Sequence, residues 1–110
     1  DRHDTQSLDL LVNALKDNVA DVRSEAAAVL GNLKYPPAIP VLLELLDHPE
    51  AETRKSAALS LMKIGDRCSI PALQTALKQE SEPNTQKAIA LAVSLLQKQT
   101  DSPPENDWME

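Results

Sequence analysis

The chain has 110 residues and is 42% apolar, drawing mainly on Leu and Ala, with no Phe and 2% aromatic residues; this composition favours helices and excludes a β-sandwich, which wants Val, Ile, Thr and aromatic side chains. The net charge is −6, but four unopposed acids fall in residues 99–110, so residues 1–98 hold thirteen acids against eleven bases and offer no basic stripe to a nucleic-acid backbone. A single cysteine, Cys68, excludes an internal disulfide and suits a reducing, cytoplasmic setting, and no apolar run reaches the roughly 20 residues of a membrane span.

Two glycines are too few for a sheet of tight turns, and the eight prolines must lie between helices or in their first turns. Residues 1–6 read as a leader that shows no signal peptide and does not begin with Met, so a processed product or a piece of a longer protein is expected. The first predicted helix runs from about Ser7 to Lys16, with Ser7 as N-cap and Leu8, Leu11, Val12 and Leu15 on one face. A second spans about Asp21 to Leu33 and should bury Val22, Ala26, Ala27, Leu30 and Leu33.

After the break at Tyr35-Pro36-Pro37, a third helix over about Pro37 to Leu46 presents Ile39, Leu42, Leu43 and Leu46, with Pro40 tolerated in its first turn. The fourth runs from Pro49, at its first position, to Ile64, with Gly65 past its end. The fifth starts after Ser69 and ends near Gln79, and the sixth spans Pro83 to about Lys98. Residues 99–110, acidic and with two adjacent prolines, are expected to be disordered. Trp108 in that tail reads three ways: a recognition motif, a group docked on the last helix, or simply the end of the chain.

The strongest signal is self-similarity at an offset of 31 residues, which places Arg23 on Arg54, Ala26 on Ala57, Ala27 on Ala58, Leu30 on Leu61 and Leu33 on Ile64. Ile39-Pro40 falls on Ile70-Pro71, Leu42 on Leu73 and Leu46 on Leu77; a third copy follows with one extra residue, so that Arg54 meets Gln86, Ala57 meets Ile89, Leu61 meets Val93 and Ile64 meets Leu96. The expected fold is all-α: an α-solenoid of six antiparallel helices in three repeats over residues 7–98. Helix pairs of this length cannot bury their apolar stripes alone and must stack. The sixth helix keeps a broad apolar set (Ile89, Leu91, Val93, Leu95, Leu96), which calls for cover by another unit, a partner, the tail or a weak oligomer contact.

The stretches VRSEAAAVLGNLKYPPAIPVLLELL and TRKSAALSLMKIGDRCSIPALQTAL resemble HEAT repeats, and more closely the short subtype of the phycobilisome-lyase HEAT-like proteins. That subtype shows an Arg early in the second helix, an Ala-Ala-x-x-Leu core, an Ile-Gly-Asp turn and an Ala-Ile-Pro start to the next unit. Arg54, Ala57, Ala58, Leu61, Ile64-Gly65-Asp66 and Ile70-Pro71 match it; the unit before has Lys34-Tyr35 in place of Gly-Asp, and the third has Gln86 in the Arg position. The resemblance covers about residues 7–97 and implies the fold more than the function, because its members include bilin lyase subunits, phycobilisome degradation factors, hydroxylases of a lysine side chain and plain scaffolds. It implies that Arg23 and Arg54 form a structural ladder, bonding to a turn or to an acid of the adjacent unit, with direct ligand contact as the other reading. It also implies that the second helices line the concave side.

Few residues suggest chemistry. The metal-ligand candidates His3, His48 and Cys68 are scattered among the leader and two different turns, with no Cys-x-x-Cys spacing, so no metal site is expected. His48 reads as a solvated turn residue before Pro49. Asp21, Glu50 and Glu52 lie near helix N-termini, where negative charge complements the dipole, and Cys68 has no histidine placed to activate it; no catalytic residue and no cofactor is expected. The best binding surface is the open face of the second helices, with Glu25, Asn32, Glu52, Lys55, Ser56, Lys63 and Lys87 on or near it and Leu59, Met62 and Leu91 partly within it. Mixed charge with a few Leu and Met residues suits a protein partner. The expected function is therefore a non-enzymatic protein–protein interaction module, a scaffold, adaptor or regulatory segment. The alternative is a subunit or domain of a bilin lyase, or a related HEAT-like enzyme, that handles a tetrapyrrole.

Overall fold

A computed structural model describes residues 5–101, with side chains from 8 to 98. Six helices follow in order: α1 (Thr5–Ala14), α2 (Ala20–Leu33), α3 (Ile39–Leu45), α4 (Ala51–Ile64), α5 (Ile70–Gln79) and α6 (Pro83–Asp101). Among the described residues there is no strand. Each odd helix packs on the even helix that follows it, and α4 lies between α2 and α6. The chain is an α-solenoid of three helix pairs.

The repeat explains the core. Leu30, Leu61, Leu42 and Leu73, paired at the 31-residue offset, are fully buried, together with Leu15, Ile89 and Leu96. Small residues of the even helices, Ala26, Ala27, Ala57, Ala58 and Ala92, are buried in this core. Single 3₁₀ turns at Pro36–Ala38 and Arg67–Ser69 lead into α3 and α5, and Pro40 and Pro71 take the first-turn positions where a missing N–H goes unnoticed. The helix ends depart from expectation in small ways. Ser7 lies inside α1 rather than capping it, because that helix begins at Thr5. Pro49 precedes the first position of α4, whose N-cap is Glu50 in extended conformation. The helix α6 runs three residues past Lys98, and residues 102–110, with Trp108, lie outside the described residues, as does the leader to residue 4.

The first two even helices end left-handed. Gly65 (φ 82°) closes α4, and Lys34 (φ 53°) closes α2 with the paired bonds Lys34 N–H to Gly31 O and Tyr35 N–H to Leu30 O, so the cap survives without its glycine. Two residues assigned to the core are exposed instead. Val22 is 37% exposed because it lies on the free leading edge of α2; its counterpart Thr53 is buried against that helix. Leu33 is 54% exposed as the last residue of α2, whereas its counterpart Leu96 lies within α6, which runs on past it, and is fully buried.

The helices α2 and α4 approach closely at Gly31. A Cβ on Gly31 would stand 3.0 Å from the Ser60 Cα, a backbone atom that cannot rotate away, and beside it the Ser60 hydroxyl donates to the Ala27 carbonyl at 2.5 Å. Gly31→Ala gains about 1 kcal/mol of helix propensity but overpacks this seam, which costs about 1–3 kcal/mol, and it strains the Ser60 bond. The net expectation is a destabilisation of about 1 kcal/mol, read as a lower midpoint in urea unfolding; a raised midpoint would show that the seam can open without loss.

Candidate functional site

Two surfaces carry the polar residues of the repeat. The first is the edge where the turns between paired helices line up. Arg23, near the start of α2, donates from Nε to Thr53 Oγ1 (3.0 Å), from Nη1 to the Asp17 carbonyl (2.7 Å) and from Nη2 to Glu50 Oε1 (2.6 Å). Arg54, its counterpart in α4, donates from Nε and Nη2 to both oxygens of Glu80 (2.7 Å each) and from Nη1 to the His48 and Pro49 carbonyls (2.8 and 3.0 Å). Gln86 sits in the third position and gives its amide N–H to the Glu80 carbonyl at 2.6 Å. Each of the three thus ties down the carbonyl six residues before it, and the two arginines also reach an acid in the next unit.

The turns share a second device. Asp17 Oδ1, His48 Nδ1 and Glu80 Oε2 each accept the backbone N–H two residues on, from Val19 (2.8 Å), Glu50 (3.0 Å) and Glu82 (3.1 Å). His48 is therefore half-buried and bonded, not merely a solvated turn residue. Although His48-Pro49-Glu50 places a histidine and a carboxylate two residues apart, that histidine nitrogen takes the Glu50 N–H and that carboxylate takes Arg23. Among the described residues no group of three or more His, Cys, Asp or Glu side chains could hold a metal ion. A cleft of about 300 Å³ opens here between Leu46, His48, Pro49, Arg54 and Glu80, and the Arg54 and Glu80 side chains that line it are bonded to each other.

The electrostatics follow from the partners. The Arg54 guanidinium holds the Glu80 carboxyl below the usual carboxylate range, against a smaller opposing effect of burial, and Glu80 in turn raises Arg54. Burial lowers His48, and the positive charges of Arg23 and Arg54 lower it further against a raising effect of Glu50. The Glu80 side chain is 1% exposed and that of Glu50 is 45% exposed, so the two rungs are unequal. Removing one partner of a buried pair costs about 3 kcal/mol or more, and an exposed pair is worth at most about 1 kcal/mol.

The second surface is the outer side of α2, α4 and α6. Lys63 Nζ donates to Asn32 Oδ1 across the α2–α4 seam (3.1 Å), and Ser56 Oγ to Ser24 Oγ (3.2 Å). Glu25, Glu52 and Lys87 are exposed and Lys55 is half-buried. Leu59 and Met62 are half-buried, and Leu91, the counterpart of Leu59 one unit on, is 47% exposed. Cys68 is exposed in the turn after Asp66, whose carboxylate accepts the Cys68 N–H and the Ser69 hydroxyl. The structure thus joins Asn32 with Lys63. Sequence reasoning missed Thr53, Glu80, His48 and Ser60 as partners, although Asp17, His48 and Glu80 recur at spacings of 31 and 32.

The HEAT-repeat family profile matches residues 8–94, and the chain belongs to that family. It is 39% identical over 90 residues to the bilin biosynthesis protein MpeU of a Synechococcus strain, covering 81% of this chain and 30% of that protein. It is 36% identical over 96 residues to the phycocyanobilin lyase subunit alpha of Picosynechococcus, covering 74% of this chain and 36% of that subunit. It is also 35% identical over 63 residues to the deoxyhypusine hydroxylase of Drosophila melanogaster, over 56% of this chain and 21% of that enzyme. The chain spans about a third of the length of the two bilin proteins. These relatives overturn the expectation of a non-enzymatic interaction module, since the two that match most of the chain are named for bilin biosynthesis and bilin lyase activity; they back the alternative.

Two acid-dependent losses are expected in equilibrium unfolding. The unfolded chain takes up a proton on His48 more readily than the folded one, so stability falls as pH drops below the ordinary histidine value of 6.5; His48→Asn keeps a turn acceptor and should flatten that limb. Glu80 acts in the opposite chemical sense with the same direction in pH, because its lowered value stabilises the fold above the ordinary 4.5 and that contribution disappears as pH falls further. Glu80→Gln should lower stability at neutral pH by about 3 kcal/mol and remove the low-pH loss, whereas Glu50→Gln should change stability by less than about 1 kcal/mol. Equal effects of the two would refute the ranking.

Proposed function

We propose that this HEAT-repeat chain is a bilin-handling segment of a lyase-type protein, and that it holds the tetrapyrrole on the outer face of α2, α4 and α6. The observation that carries the proposal is its similarity, over most of its length, to two proteins named for bilin biosynthesis and bilin lyase activity. The chemistry of the face supports it. A bilin is a long, largely apolar chromophore that carries carboxylate side chains. Leu59, Met62 and Leu91 give an aliphatic bed, with Lys55, Lys63 and Lys87 beside it as cations and Glu25, Glu52 and Asn32 at its margins. Lys63 is steadied by Asn32 and keeps two further N–H donors for a carboxylate. The Arg23 and Arg54 rungs hold the three even helices in register and so fix the spacing of the lysines.

Because one relative is a lyase subunit, we place this chain beside a protein partner in the working enzyme, with the bilin passed between them and catalysis divided among the parts. We place the chain in a cytoplasmic setting, which its single cysteine suits; no helix among the described residues is long and apolar enough to cross a membrane.

Absorbance titration of the chain with phycocyanobilin tests this. Saturable binding with a shifted spectrum is expected. Lys55→Glu with Lys63→Glu replaces two surface attractions, each worth up to about 1 kcal/mol, by repulsions, and should weaken binding roughly tenfold or more with thermal stability unchanged. An unshifted, non-saturating spectrum overturns the bilin reading, and undiminished binding by the double variant moves the site off this face.

A further inference from the structure

Lys34 is the one non-glycine residue with a positive φ among the described residues (53°), in the place that Gly65 (φ 82°) holds one unit on. The left-handed region crowds a Cβ against the backbone, and glycine enters it without that cost. Gly65 shows that the cap needs no side chain, because its N–H reaches the Leu61 carbonyl and closes α4. A lysine at position 34 therefore carries strain that the turn itself does not require, and such strain gathers at sites that serve a ligand.

The side chain shows where that ligand would sit. Lys34 crosses the α2–α4 seam and donates from Nζ to the Lys63 carbonyl in the last turn of α4 (3.0 Å). In the opposite direction Lys63 Nζ donates to Asn32 Oδ1 (3.1 Å). The two bonds draw both lysines to the same end of the seam, and each ammonium keeps two further donors. The ion pairs among the described residues are Lys16–Glu44, Arg23–Glu50 and Arg54–Glu80, so neither Lys34 nor Lys63 meets a carboxylate there. Asp66, just past Gly65, accepts the Cys68 N–H and the Ser69 hydroxyl with its carboxylate. Toward the helix starts, by contrast, Lys55 and Lys87 share the face with Glu25 and Glu52.

We infer that Lys34 is a ligand-binding residue, which with Lys63 grips a carboxylate side chain of the tetrapyrrole where α2 and α4 finish. The inference rests on the bilin reading and extends its site by one residue. The free carbonyls of a helix end repel an anion; the Lys34 ammonium covers one of them and adds the second positive charge. It also gives the ligand a direction, because a carboxylate is attracted at this end and meets Glu25 and Glu52 toward the other.

Absorbance titration with phycocyanobilin and with its dimethyl ester, in which the carboxylates are capped, tests it alongside thermal unfolding. Lys34→Gly restores the residue that the next unit uses, so its unfolding midpoint should equal or exceed that of the wild type. The same variant should bind the free acid about fivefold more weakly and the ester as well as the wild type does. Lys34→Arg keeps the charge and should keep the affinity for the free acid. A wild type that binds the free acid while Lys34→Gly binds it equally well overturns the inference and leaves the bilin reading standing. A loss of equal size with the ester, or one shared by Lys34→Arg, marks the effect as structural and also overturns it. A wild type that gives no shifted, saturable spectrum overturns both.

Discussion

Everything in this chain depends on how closely the even helices can lie side by side. A pair such as α1 and α2 leaves its apolar stripe half covered, and only a neighbouring pair completes the burial of Leu30, Leu61 and Ile89. Close approach requires small residues at the contact, hence the alanines and Gly31, and it requires that the backbone left unpaired at the turns be satisfied. The arginine position answers the second need. Its side chain reaches back six residues to a turn carbonyl and forward to an acid of the next unit, so one residue joins a pair internally and to its neighbour. Guanidinium suits this task because its donors lie in a fixed plane and match a carboxylate edge with two parallel bonds, as at Arg54 and Glu80.

The repeat made the fold legible: the offset of 31 is a property of letters, and the structure reproduces it in Leu30 and Leu61, in Pro40 and Pro71, and in the 3₁₀ turns that precede them. What escaped sequence reasoning involves partners far apart in the chain or conformations that a residue tolerates without favouring. Glu80 carries no local mark of burial, and only the packing of α4 on α6 brings Arg54 onto it. Val22 looks like a core residue on any helical wheel, yet α2 meets another even helix, α4, on one side only, and Val22 is exposed. Lys34 gives no warning of a left-handed cap; it adopts one in which its N–H and that of Tyr35 reach the Gly31 and Leu30 carbonyls, and its ammonium donates to the Lys63 carbonyl. In the same unit Tyr35 replaces the capping aspartate of the Asp66 type and reaches Asp9 of α1 instead, so the turn keeps its shape by a different bond.

The functional expectation failed for an instructive reason. The dearth of catalytic residues points to a non-enzymatic module, and mixed charge with a few Leu and Met residues points to a protein partner. Neither observation rules out the holding of an amphiphilic carboxylate. Such a ligand is served equally well by an aliphatic bed and ammonium groups, and the proposed site would draw both from Leu59, Met62, Leu91 and the lysines Lys55, Lys63 and Lys87. Composition bounds the fold tightly because helix propensity is additive along the chain. It bounds a binding site loosely, because a few residues brought together by packing suffice.

The two polar surfaces divide the work. The turn edge binds its own polar atoms internally: Arg23, Arg54, His48 and Glu80 meet one another or the backbone, which makes that edge a source of stability and acid sensitivity. The outer face keeps its ammonium groups largely toward solvent, with hydrogen bonds such as Lys63 to Asn32 steadying rather than neutralising them. In a solenoid the separation is natural, since each helix pair turns one side to its neighbours, one to its turns and one to solvent. Charge on the third side can change while the first two stay as they are, and the same stack can then carry a different surface without a new fold.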